Sequence, residues 1–120
     1  KPKGVAILEG PCCALRAAMA GYVGIALMGM LPSQTTLFHL ALLLADYPQQ
    51  EVLVLLDRDS GAAAVKVVTF LASQSVKAKF GSFNKSKDLA ELSIKESEKL
   101  LHGCFKQASR CRKKHSARQK

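Results

Sequence analysis

The sequence predicts an α/β domain with about four mostly parallel strands flanked by helices. Three observations carry that expectation. Short runs rich in Val, Ile and Leu alternate with longer helix-like segments, in the order β-α-β-α-β-α-β followed by a loop and a last helix. The clearest runs, G-V-A-I-L at 4–8 and V-L-V-L-L at 52–56, lack the apolar/polar alternation of a half-exposed strand and read as strands buried on both faces. Finally, 120 residues with 48% hydrophobic side chains are enough for one core without disulfide or metal support.

The elements follow in order. The first strand, Gly4–Leu8, runs into Glu9-Gly10-Pro11. Pro11 suits the first turn of a helix, where a missing N–H costs nothing. Cys12–Ala20 is rich in Ala, Leu and Met and should be helical, with Gly21 as its stop. Val23–Met28 is the second strand, ending at Gly29. Ser33 is placed to cap the next helix, whose segment Leu37–Ala45 is apolar on most of its circumference and so should be largely covered. Tyr47-Pro48 breaks it. Val52–Leu56, β-branched at alternate positions, is the third strand and closes on Asp57. Gly61–Ala72 is a helix, with Ser60 as a candidate cap and Val65, Val68 and Ala72 as its packing side. Val76–Phe80 alternates apolar and basic residues like an edge strand, and 81–87 is a polar loop. Ser93 and Glu96 form a capping box for the last helix, which should fade within the basic tail. Right-handed crossovers would then set the carboxyl ends of the strands along one edge.

Charge divides the chain unevenly. It has 18 basic residues and 9 acids, but eight of the basic residues follow Glu98, the last acid. The body up to Glu98 is therefore nearly neutral, with ten basic residues against nine acids. We divide the chain into a domain at 1–98 and a basic C-terminal helix or tail at 99–120. Such a tail suits a nucleic-acid backbone, because each neutralised phosphate releases condensed counterions; it also suits a solvated terminus that keeps the chain soluble. Lys106, Arg110, Arg112, Lys113, Lys114 and Arg118 are the candidate nucleic-acid contacts there, with Lys85 and Lys87 in the loop. The four cysteines do not form a disulfide scaffold, since Cys12 and Cys13 are adjacent and Cys104 and Cys111 far away. Cys104, Cys111 and His115 would share a face of the last helix, but their spacing is not that of a zinc ribbon or finger. Small apolar filler and a solvated histidine are the simpler reading, and packing is the simpler one for Cys12 and Cys13. His39, in an apolar helix, reads as a core or boundary residue. With no apolar run long enough to span a bilayer, a cytoplasmic location is expected. The chain starts at Lys1, so a longer parent protein with further domains is expected.

The acids carry the functional information. Glu9 directly follows the first strand, and Asp57 and Asp59 directly follow the third. In open α/β sheets that edge is where ligands bind. Taken singly, each acid suits a helix N-cap or a solvated loop. Taken together they repel: two carboxylates ~4 Å apart cost about 4 kcal/mol at an effective dielectric near 20. A hard cation relieves that repulsion, and Mg²⁺ (or Mn²⁺) prefers carboxylate and water ligands, often beside substrate phosphates. The pattern therefore points to a metal site for phosphoester chemistry. Without a Walker loop or G-x-G-x-x-G, an ATPase or dinucleotide enzyme is disfavoured.

The segment from about Lys3 to Leu92 resembles a Toprim domain, the metal-binding module of bacterial-type primases, type IA and type II topoisomerases and some nucleases. The resemblance rests on Val5-Ala6-Ile7-Leu8-Glu9-Gly10, a strand closing on Glu-Gly. A helix and Gly turn follow at Ala14-Leu15 and Ala20-Gly21, then a strand and Gly at Ala26-Leu27-Met28-Gly29. The Asp-x-Asp motif is Val54-Leu55-Leu56-Asp57-Arg58-Asp59, and the small-residue helix start after it is Ser60-Gly61-Ala62-Ala63-Ala64. Lys87-Asp88-Leu89-Ala90-Glu91-Leu92 fits a segment common in primase-like members. The chain departs from primases at Cys12-Cys13-Ala14, where they carry an acid shortly after Glu-Gly. It departs from topoisomerases by lacking further acids just after Asp-x-Asp and a tyrosine-bearing cleavage domain. The resemblance implies a Toprim-like (Rossmann-like) sandwich and a Mg²⁺-dependent nucleotidyl-transfer domain of a primase-like replication protein. Asp57, Asp59 and Glu9 would be its metal ligands and catalytic groups, Asp88 a further ligand, and DNA or an RNA primer with nucleoside triphosphates its partners. Nuclease or topoisomerase-like strand cleavage is the alternative. A receiver domain phosphorylated at Asp57 is the competitor from another class, but it needs paired acids after the first strand, where Glu9 stands alone.

Overall fold

The computed structural model describes residues 2–28, 31–56, 61–81 and 89–118, those from 109 on by their backbone alone. The elements are β1 (Val5–Leu8), α1 (Pro11–Met19), β2 (Val23–Ala26), α2 (Gln34–Leu44), β3 (Val52–Leu55), α3 (Gly61–Ser73), β4 (Ala78–Phe80), a one-turn 3-10 helix (Leu89–Glu91) and α4 (Ile94–Arg118). The four strands form one parallel sheet in the order β2-β1-β3-β4.

The two apolar runs take the centre, as strands buried on both faces must. β1 and β3 pair in register, Val5 opposite Val52 and Leu8 opposite Leu55, and all eight residues are buried. Successive side chains point to opposite faces. Ala6, Leu8, Leu53 and Leu55 therefore enter one core with α1 and α4, through Ala17, Leu101, Cys104 and Phe105. Val5, Ile7, Val52 and Val54 enter the other with α2 and α3, through Leu37, Leu40, Leu44, Val67 and Leu71. Tyr22 and Phe105 stack at 5.2 Å between ring centroids, which pins α4 to the start of β2. β4 is an edge strand, but it begins at Ala78 rather than Val76.

Helix ends follow local chemistry. Ser33 Oγ accepts from the Thr36 N–H at 3.2 Å and caps α2. Ser93 Oγ accepts from the Glu96 N–H while Glu96 Oε1 accepts from the Ser93 N–H, each at 3.1 Å, completing the capping box of α4. Gly21 ends α1 at φ +100°; its N–H bonds Ala18 O and that of Tyr22 bonds Ala17 O, the paired bonds of a Schellman close. The expected Ser60 cap lies outside the described residues.

Three expectations need correction. The circumference of α2 is apolar but not covered: Leu37, Leu40 and Leu44 are buried, while Phe38 and Leu42 are 49% and 70% exposed. Only one side of α2 faces the sheet; on the other, Phe38 meets the Phe70 ring of α3 edge-on at 5.2 Å between centroids, and Leu42 stays exposed. The packing side of α3 is Ala63, Ala64, Val67 and Leu71. Val65 and Ala72 face outward and Val68 is half-buried. Small residues at 63 and 64 let the helix approach the sheet closely, so they, rather than the bulkier Val65, take the inside. His39 is exposed, because it stands between the inward positions 37 and 40.

The last helix extends far into the basic tail and ends there at Arg118. α4 runs unbroken through position 98 to Arg118, and its first three turns bury Ser97, Leu101, Cys104 and Phe105. Full burial of a side chain such as Leu101 contributes on the order of 2 kcal/mol.

Candidate functional site

The strand order places the switch point of the sheet between β1 and β3. The chain leaves β1 through α1 to pair β2 on one side, then crosses through α2 to lay β3 on the other. The crevice where such crossovers diverge, at the carboxyl ends of the strands, is the usual ligand position in open α/β sheets. Glu9 stands there. It follows Leu8, which pairs with Leu55 and whose carbonyl accepts from the Leu27 N–H at 2.9 Å. Glu9 is half-buried, and the neighbouring strand continues through half-buried Leu56, the residue before Asp57. The first acid is thus set beside the strand that leads to the other two, although forty-odd residues separate them in sequence.

The start of α1 lies at the same edge. Gly10, with extended backbone at φ −109° and ψ 156°, is its N-cap and brings no side chain to the helix end; Pro11 follows in the first turn. The first bond within the helix joins the Ala14 N–H to Gly10 O at 3.1 Å. The N–H groups of Cys12 and Cys13 therefore have no acceptor inside the helix, and the positive end of its dipole faces the edge. Cys12 is exposed and Cys13 half-buried. Their thiols are soft donors and do not suit a hard cation.

Two glycines set the geometry beneath. A Cβ at Gly24 would lie 2.1 Å from Ala14 O, so α1 rests directly on the backbone of β2. At the end of β4 the Gly81 N–H bonds Val54 O at 3.0 Å, and a Cβ there would meet Leu55 Cδ2 at 2.7 Å. At Gly24 the close neighbour is backbone, and at Gly81 it is the Leu53 and Leu55 side chains. Gly24 lies inside a strand run, and a glycine there is itself a marker of such contact.

The other expected site residues divide in two. Asp57, Asp59, Lys85, Lys87 and Asp88 lie outside the described residues. Lys106 is exposed on α4, and Arg110, Arg112, Lys113, Lys114 and Arg118 fall within the backbone span of that helix. Among the described residues, no group of three or more His, Cys, Asp or Glu side chains is placed to hold a metal. Cys104 is buried in the core, which accords with its reading as filler, and burial pushes its thiol pKa up. Among the described residues no helix is long and apolar enough to cross a membrane.

With the geometry in place, comparison with known proteins is informative about the fold. No family model matches the chain. No curated protein matches it either. A solved structure does: the small TOPRIM domain protein from Bacillus stearothermophilus, with 20% sequence identity, a TM-score of 0.53, and coverage of 84% of this chain and 87% of that one. The four parallel strands and flanking helices are thus a Toprim-like α/β fold.

Proposed function

We propose that this chain is a magnesium-dependent catalytic domain for nucleotidyl transfer on nucleic acid, of the primase-like kind. The observation that carries the reading is the position of Glu9 at the switch point, beside the strand that runs into Asp57-Arg58-Asp59. The Toprim-like fold of a solved neighbour supports it. The donor chemistry fits Mg²⁺, since Glu9, Asp57 and Asp59 offer hard carboxylate oxygens and Asp88 a fourth. Once bound, the cation would neutralise charge developing on a reacting phosphate. The chain's own part is then to hold and orient. Asp57 and Asp59 serve as ligands. Glu9 serves as a ligand or as the base that takes the proton of the attacking 3′-hydroxyl. The N–H groups at the start of α1 favour a phosphate oxygen at the same edge.

The test is titration of the full chain with Mg²⁺ and Mn²⁺, read by amide NMR shifts, for the wild type and for Asp57→Asn with Asp59→Asn. Saturable shifts and Mn²⁺ broadening at Leu8–Gly10 and Leu55–Leu56 are expected, and the double variant should lose them. Shifts identical in both proteins would overturn the reading. So would phosphorylation of Asp57 by a small phosphodonor, the mark of a receiver. Incorporation of nucleoside triphosphates on a single-stranded template is the expected activity; cleavage of a labelled strand without incorporation would assign the nuclease chemistry instead.

A further inference from the structure

α4 carries two opposed faces. Ser97, Leu101, Cys104 and Phe105 point into the core, with Leu100 and Ala108 half-buried at its margins. Lys95, Lys99, His102 and Lys106 are all exposed on the other side. Their spacing of four, three and four residues keeps them in one stripe at 3.6 residues per turn. The helical backbone continues with the same spacing through Arg110 and Lys113. From 95 to 113 that face rises about 27 Å over about five turns.

The two acids of α4 are already engaged. Glu96 closes the capping box with Ser93, and Glu98 pairs with Lys3 at 2.6 Å. Among the described residues, no salt bridge takes Lys95, Lys99 or Lys106. The head of the stripe opens on a shallow recess of about 380 Å³ lined by Lys3, Tyr22, Lys95, Glu98, Lys99 and His102. Lys3 stands before β1 and Glu9 after it, so the recess and the acidic edge lie at opposite ends of that strand, about 20 Å apart at the usual rise per residue.

We infer that the outward face of α4, headed by Lys95, Lys99, His102 and Lys106, binds the sugar-phosphate backbone of a nucleic-acid strand at a surface separate from the Glu9 edge. The ammonium groups of Lys95, Lys99 and Lys106, recurring along one face with the neighbouring acids occupied, are matched by a polyanion whose charges also recur along a line, and His102 adds a hydrogen-bonding side chain between them. An anionic membrane is disfavoured on the same helix. Interfacial helices bind by burying an apolar face in the headgroup region, and the apolar face of α4 is spent in the core. The inference deepens the nucleic-acid reading above but uses none of its metal chemistry.

The experiment is binding of a labelled single-stranded oligonucleotide to the full chain in EDTA, followed by anisotropy across a salt series. Lys95→Gln with Lys99→Gln should weaken binding about tenfold or more at low salt and reduce the slope of log K against log salt by about 1.4, two contacts at ~0.7 each. His102→Gln with Lys106→Gln, about two turns further on, should weaken binding in the same direction, with a slope change of about 0.7 for its one lysine. Unchanged affinity and slope in both pairs would overturn the inference. It would equally fall if neutralising Arg110, Arg112, Lys113 and Lys114 abolished binding while the two upstream pairs did nothing. Binding to phosphatidylserine vesicles that the oligonucleotide cannot compete away would assign the face to a membrane and overturn it too. Because EDTA is present throughout, failure here leaves the metal titration unaffected, and failure of that titration leaves this result standing.

Discussion

Lys3 Nζ donates to Glu98 Oε1 at 2.6 Å, joining the residues that precede β1 to the last acid of the chain. The same ammonium donates to Ala20 O at 3.2 Å and stands 5.8 Å from the centre of the Tyr22 ring. It thus ties together the end of α1, the start of β2 and the first turns of α4. The hydrogen bond and charge of Lys3 hold the Glu98 carboxyl below its ordinary range, and the hydrogen bond to Glu98 raises Lys3.

From this pair a pH dependence follows. A lowered carboxyl contributes stability above the ordinary carboxylate pKa and loses it as pH falls through the folded value. A raised lysine contributes below the ordinary lysine pKa and loses its part as pH rises through the folded value. Glu98→Gln should therefore lower the melting temperature slightly near neutrality, with the difference closing at both strongly acidic and strongly alkaline pH. Both side chains are 47% exposed, so the effect should be small and should shrink with salt. A difference that persists unchanged into strong acid would show that the carboxylate is not its source.

Glycine to alanine should have opposite signs at two positions. At Gly24 the new methyl would meet the Ala14 carbonyl, which is backbone and cannot swing aside. Gly24→Ala should destabilise by about 3 kcal/mol, the upper part of the overpacking range, or prevent folding. Gly103, within α4, has open space where its Cβ would stand. Gly103→Ala should stabilise by about 1 kcal/mol through helix propensity alone. Urea denaturation of the two variants measures both.

α3 closes as α1 does, but with a serine in the left-handed position. Ser75 has φ +63°; its N–H bonds Ala72 O at 3.1 Å and the Val76 N–H bonds Leu71 O at 2.8 Å. That backbone costs an L-residue roughly 1 kcal/mol, which a glycine avoids. Ser75→Gly should therefore raise stability, but only by up to about 0.5 kcal/mol once the greater freedom of glycine in the unfolded chain is set against it. A destabilised variant would mean that the Ser75 side chain contributes more than its backbone strain costs.

The cysteines should separate by accessibility. Cys12 is exposed on the first turn of α1, whereas Cys104 is buried with its thiol pKa pushed up by desolvation. Alkylation followed site by site in a mass spectrometer should label Cys12 early and Cys104 only as the chain unfolds. Equal rates at the two sites in the native protein would show that α4 does not hold its place on the sheet.

Much of the fold can be read along the chain because its determinants are local. The runs at 5–8 and 52–55 have no polar residue to turn outward, so they had to be interior strands. Ser33, Gly21 and the Ser93–Glu96 pair punctuate helices through bonds made within a few residues. The facing of α2 and α3 was less legible. Both are apolar nearly all round, so periodicity does not select a side, and contact with one face of the sheet makes the choice. The Lys3–Glu98 pair joins distant segments and leaves no local pattern.

By itself the sequence determined that acids would follow strands β1 and β3, since each is the first charged residue after its apolar run. Nothing local could make those two strands neighbours. The order β2-β1-β3-β4 did that, by sending one crossover to each side of β1 and so opening the crevice at which Glu9 stands. The physical reason is that pairing and burial act between surfaces, not along the chain. Two strands that are apolar on both faces lower their free energy most at the middle of the sheet, side by side, with helices covering both faces.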